Sequence, residues 1–138
     1  RDLGLGAFAG AYPRQLSGGM QMRASIARAL VLRPSVLLLD EPFAALDEIT
    51  RNRLNDDLLE LWQGQNWTVV FVTHSVYESV YLSQRIVVLG PRPGRVVGEV
   101  IVPAPYPRGE AFRTSVEYLE TASRVSGDLY AAMAGQGP

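Results

Sequence analysis

The residues that could do chemistry in this sequence sit in short, separated clusters. Leu16-Ser17-Gly18-Gly19-Met20 joins a hydroxyl to two glycines ahead of a helical pattern. Without side-chain bulk, backbone N–H groups can close on an anion, and an opening helix adds its positive end. Val36-Leu37-Leu38-Leu39-Asp40-Glu41 is an apolar run that stops at two carboxylates. It reads as a buried strand delivering acids to a sheet edge. There Asp40 could hold a divalent cation through water, and Glu41 could orient a water for attack on a phosphate. His74 is the single histidine and follows the β-rich run 68–72. Neighbouring parallel strands point their carboxyl ends the same way, which would bring His74 to the edge that carries Glu41. An anion cradle, a cation-holding acid and a water-orienting acid together point to phosphate chemistry.

Those clusters need elements to hold them. Ser17 is a good N-cap for a helix running through Ala24, Ala27, Leu30 and Val31 to about Leu32, ended by Pro34. Residues 36–39 form the next strand. Asp47 caps a second helix whose Leu54, Leu58, Leu61 and Trp62 recur at helical spacing. A strand over 68–72, a helix carrying Tyr77, Val80 and Tyr81, and a strand over 86–89 follow. Strands alternating with helices predict an α/β fold, a mostly parallel sheet flanked by helices. Gly90-Pro91-Arg92-Pro93-Gly94 is a turn cluster, after which 95–102 returns as an antiparallel strand. The organisation read from this is a main domain over 1–102, a Pro-rich linker over 103–109 and a helical tail over 110–138. Phe112, Val116, Leu119, Ala122, Leu129 and Met133 mark one stripe of that tail, read as a docking face.

Composition narrows the function classes. The chain has 138 residues, 47% of them hydrophobic, enough for a packed core. Its net charge of −1 gives no global argument for nucleic acid or an anionic membrane surface. All 13 basic residues are Arg, so no G-x-x-x-x-G-K-[ST] phosphate loop occurs in these residues. There is no Cys, which excludes disulfides and thiolate metal sites. No apolar run approaches the length of a membrane span. Gly4-x-Gly6-x-x-Ala9 imitates a dinucleotide fingerprint, but no strand precedes it.

Taken together, Gln15-Leu16-Ser17-Gly18-Gly19-Met20, the following Gln21, Arg23 and Ile26-Ala27-Arg28-Ala29-Leu30, and the Asp40-Glu41 pair resemble the ATP-binding subunit of ABC transporters. That family's signature is LSGGQ, followed by a helix, the Walker B strand and a glutamate. Met20 stands where Gln is commonest, which is similar to the nitrate, sulfonate and taurine importers; Met22 also replaces a more usual Gln. Ala44-Ala45-Leu46-Asp47 looks like the family's D-loop, with Ala44 in place of Ser. Ser75 replaces the Asp that usually follows the switch histidine. The stretch 83–89 with Arg92-Pro93-Gly94-Arg95 is similar to a segment of the same importer branch.

The resemblance implies a partial P-loop NTPase fold of the ABC ATPase kind, with a C-terminal antiparallel hairpin. It implies ATP and Mg2+ as ligands. Asp40 takes the Walker B role toward the metal, Glu41 that of the catalytic glutamate and His74 that of the switch histidine. Gln15, Ser17, Gly18, Gly19 and Asp47 serve nucleotide across a head-to-tail dimer. The implied partners are a second ATPase subunit (a homodimer), an integral membrane permease and, indirectly, a periplasmic substrate-binding protein, with no nucleic acid. The implied place is peripheral, at the cytoplasmic face of the inner membrane. The expectation is a C-terminal portion lacking the Walker A and Q-loop region, inactive alone. The rival readings are a soluble, non-transport ABC ATPase and a non-catalytic remnant that only binds a partner ATPase subunit.

Overall fold

The computed structural model describes residues 20–21, 24–29, 31–32, 35–91 and 94–134. The chain divides between Thr73 and His74 into two compact units.

In the first unit, residues 20–21, 24–29 and 31 are helical, as the sequence pattern predicts, and Ile26 is buried. The turn closes with Leu32 N–H donating to Ala29 O at 3.1 Å. The expected start of this helix at Ser17 and its stop at Pro34 lie outside the described residues. Strand β1 (Val36–Asp40) pairs in parallel with β2 (Thr68–Val72), in register from Val36 beside Thr68 to Asp40 beside Val72. Helix α1 (Glu48–Gln63) makes the crossover that parallel strands require.

Its buried positions are Leu54, Asn55, Leu58 and Leu59, while Leu61 and Trp62 are half-buried. Trp62 Nε1 donates to Trp67 O at 3.1 Å and fixes the return turn. The turn after β1 is anchored by Phe43, which is fully buried and packs its ring 5.8 Å from that of Phe71.

One expectation fails in this ladder. The apolar run 36–39 reads as a strand buried on both sides, yet Val36 and Leu38 are 58% and 64% exposed. Leu37 is buried between them. Apolar residues on both faces mark a strand built for covering layers on both sides. Among the described residues, the layer over the Val36 and Leu38 face is absent.

The second unit starts with a short helix, α2 (Val76–Leu82). Strand β3 (Arg85–Leu89) then pairs antiparallel with β4 (Val96–Ile101), with a bulge between Val88 and Leu89. The hairpin is the predicted one, but β3 forms its own two-stranded sheet with β4, and the β1–β2 pair is a separate ladder. The sequence gives β3 the same apolar look as β1, so the pattern of elements alone did not tell whether it would also join the β1–β2 ladder.

A one-turn helix α3 (Glu110–Arg113) and the long α4 (Val116–Ala134) complete the chain. Ser115 Oγ accepts from Tyr118 N at 3.1 Å, which starts α4 as a separate helix. The tail is therefore helical as predicted, but its buried stripe shares only Ala122 with the predicted one. Tyr118, Thr121, Ala122 and Val125 are buried, at i, i+3, i+4 and i+7. Val116, Leu119 and Met133 are 69%, 55% and 66% exposed. The predicted positions on this helix centre on a neighbouring side of it, rotated away from the buried seam. Thr121 and Tyr118, which the predicted stripe does not include, have apolar bodies that fill the seam. This face packs on α2, β3 and β4. At Gly98 of β4 the approach is so close that an added Cβ would lie 2.5 Å from Asp128 Oδ2.

Residues 103–109 carry no regular structure, but they are pinned. Ala104 and Arg108 are buried. Arg108 Nη1 donates to the carbonyls of Val80, Tyr81 and Ser83 at 3.2, 2.9 and 2.8 Å, and Nη2 to Ala104 O at 2.7 Å. Its guanidinium lies 4.0 Å from the Tyr106 ring centre and 5.1 Å from that of Phe112. Tyr106 Oη donates to Leu82 O at 2.7 Å. Burial pushes the Tyr106 phenol up, against the pull of Arg108, and so favours this neutral donor.

Candidate functional site

The two acids emerge where parallel β1 runs out. Asp40 is its last residue and is exposed, beside Val72 at the carboxyl end of β2. Glu41 then turns the chain with φ of 47°, the left-handed region that L side chains avoid. Its N–H donates to Val72 O at 2.7 Å, which ties the corner to the neighbouring strand. Strain of this kind persists only where surrounding structure imposes it, and it gathers at functional corners. Both carboxylates leave the ladder at its carboxyl edge, the end at which α/β sheets bind ligands.

Asp47 is placed seven residues past Asp40 and acts locally as the N-cap of α1. Its Oδ2 accepts from Thr50 N at 3.0 Å and its Oδ1 from Thr50 Oγ1 at 2.6 Å. The Thr50 hydroxyl bond, then the backbone bond, hold the carboxyl below its ordinary value. A group lowered in the folded state stabilises the fold above its unfolded value of 3.8 and loses that contribution as pH falls through the folded value. Asp47→Asn keeps a capping oxygen but removes the charge. Thermal melts should therefore show the variant less stable at neutral pH, with the gap closing as the pH falls below about 3.8. A gap that stays constant down to pH 2 would rule this out.

The chain leaves β2 through Thr73, and His74, exposed, opens the second unit. Ser75 comes next and caps α2, its Oγ accepting from Glu78 N at 3.2 Å. The sequence reading gave Ser75 no role, although Ser75-Val76-Tyr77-Glu78 has the spacing of a capping box. Arg108 was missed as well. Its only signal is a charged residue inside a proline-rich stretch, which composition treats as a spacer. Gln15, Ser17, Gly18 and Gly19 lie outside the described residues.

No group of three or more His, Cys, Asp or Glu among the described residues could cage a metal. Asp40 suits a different kind of binding: Mg2+ keeps most of its waters and takes one or two carboxylates plus phosphate oxygens. An exposed carboxylate at a strand end fits that donor set. No helix among the described residues is long and apolar enough to cross a membrane.

Comparison with known proteins agrees with this geometry. The profile of the ABC transporter family matches residues 2–44, which end just past the acidic corner. An ABC transporter ATP-binding protein of Methanocaldococcus jannaschii is 54% identical over 123 residues, 89% of this chain and 45% of that protein. The aliphatic sulfonates import ATP-binding protein SsuB of Bacillus licheniformis is 52% identical over 114 residues, 83% of this chain and 44% of that protein. SsuB of Bacillus cereus is 45% identical over 121 residues, 88% of this chain and 47% of that protein. The chain spans about half the length of the curated relatives it matches. The mixed α/β architecture and the acid pair closing a parallel strand thus accompany a similarity to ABC transporter ATP-binding proteins that runs over most of this chain.

Proposed function

We propose that this chain is part of the ATP-hydrolysing subunit of an ABC importer, driving uptake of a small nutrient such as nitrate, a sulfonate or taurine. The observation that carries the reading is the Asp40–Glu41 corner, where exposed acids leave a parallel ladder through a strained turn latched to Val72. In this reading Glu41 holds and polarises the water that attacks the γ-phosphorus, and His74 contacts the γ-phosphate. Asp40 would hold Mg2+ through water; when bound, the ion neutralises charge on the phosphate oxygens. Ser17, Gly18 and Gly19, with Gln15, close on the ATP of a second subunit, and Asp47 lies near that dimer contact. The printed names of the SsuB relatives support the substrate class. A permease, a periplasmic binding protein and a peripheral position on the cytoplasmic membrane face belong to the same reading.

The 138 residues contain no lysine to reach the β- and γ-phosphates. Hydrogen bonds from a glycine turn are worth about 0.5–1.5 kcal/mol each, too little against the cost of immobilising a ligand. Calorimetric titration of the chain alone should show no ATP binding, and micromolar affinity would contradict this. Fusing the chain to the portion of the Methanocaldococcus jannaschii relative that it does not span should give Mg2+-dependent ATP hydrolysis. A folded fusion that binds ATP without hydrolysing it would overturn the enzymatic reading.

A further inference from the structure

We infer that the C-terminal segment positions His74, through a clamp that Arg108 and Tyr118 place on the two ends of α2. This rests on the proposed role of His74 and extends it to the residues that set its place. His74 is joined directly to Ser75, the N-cap of α2, so the start of this helix sets where the histidine backbone lies. The helix has 7 residues, too few to hold a fixed orientation by its own hydrogen bonds. Outside contacts must supply that orientation, and they come from the segment after β4.

At the first turn, Tyr118 Oη of α4 donates to Tyr77 O at 3.1 Å, three residues after His74. The two rings lie 5.6 Å apart. At the last turn, the Arg108 fork donates to the carbonyls of Val80, Tyr81 and Ser83, at the C-terminal end of the helix. Arg113 lies over the Tyr81 ring at 3.9 Å, and Tyr81 stacks on Phe112 at 6.1 Å. Rotation or sliding of α2 would break contacts at both ends together. Tyr118 and Arg108 are thus positioning residues, tying a distant stretch of chain to the histidine.

His74 is the only imidazole in the sequence, so its ring gives one assignable cross-peak in a carbon–proton NMR spectrum of the 138-residue chain. Tyr118→Phe removes a single hydroxyl, and Arg108→Lys keeps the charge but loses the fork. Each should displace the His74 peak by more than its linewidth. Tyr130→Phe, on an exposed part of the same helix, should leave the peak in place. Should Arg108→Lys fail to fold, Tyr118→Phe decides the matter alone. A stationary His74 peak in folded Tyr118→Phe, with faster amide exchange in α2, would show a merely structural contact and overturn the inference. The readout needs no nucleotide. A histidine that follows the clamp yet proves dispensable for hydrolysis in the fused chain would sink the functional reading and leave the clamp standing.

Discussion

Glu41→Gln should lower ATP turnover by about 10²–10⁴-fold in the chain fused to the complementary portion of its Methanocaldococcus jannaschii relative, while ATP still binds. The amide keeps the size and reach of the side chain and removes the charge proposed to polarise the attacking water. Glu41→Gly should lose turnover to a similar extent but move stability the other way. At φ of 47° an L residue is strained by about 1–2 kcal/mol, which glycine escapes. Glycine loses about 0.4–1 kcal/mol through its freer unfolded chain, so a net gain of about 0.5–1 kcal/mol is expected. Urea unfolding should rank Gly above both Glu and Gln. The pair of variants separates two ideas that one mutant would confuse. Wild-type turnover in Gln would end the assignment of Glu41 to the chemistry. A Gly variant less stable than Gln would show that the corner is not strained.

That corner also marks where sequence reading succeeds and where it stops. The position of Asp40 and Glu41 was legible because an apolar run ending in acids has few other meanings, and β1 ends at Asp40 as expected. Asp47 was legible as a cap, since its side chain, its spacing to Thr50 and the following helix are all local. The left-handed turn at Glu41 was not legible, because it is set by the bond to Val72 O, over thirty positions away in sequence. The β3–β4 hairpin was legible for the opposite reason, since its turn cluster and returning strand adjoin in sequence. The tail stripe went wrong for another reason. Hydrophobicity alone points to Leu119 and Met133, whereas packing buries Thr121 and Tyr118, whose hydroxyl donates to Tyr77 O. The Ser17-Gly18-Gly19 turn, read from sequence as an anion cradle, falls outside the described residues.

Arg108 should be among the most sensitive positions for stability, although it lies in a stretch whose prolines look like a spacer. Its side chain is only 9% exposed and satisfies four carbonyl oxygens with two terminal nitrogens. Arg108→Ala takes away the donors and leaves the acceptors. Each buried carbonyl without a partner costs about 1–3 kcal/mol, and water entering the vacated space recovers part of that. A loss of about 3–5 kcal/mol is expected, which places the change among the largest single-site effects. For a chain of this size the melting temperature should fall by roughly 10 °C or more. Arg108→Met refills the volume with an apolar chain and so separates packing from hydrogen bonding. It should stay within about 1 kcal/mol of Ala, because the carbonyls remain unpaired. Arg108→Lys should recover less than half of the loss, since an ammonium lacks the planar fork that reaches two directions at once. The order Arg, Lys, then Met with Ala follows from donors aimed at helix-end carbonyls. Were Met to match Arg, the stretch would be held by apolar contact alone, and the carbonyls of Val80, Tyr81 and Ser83 would have to find water.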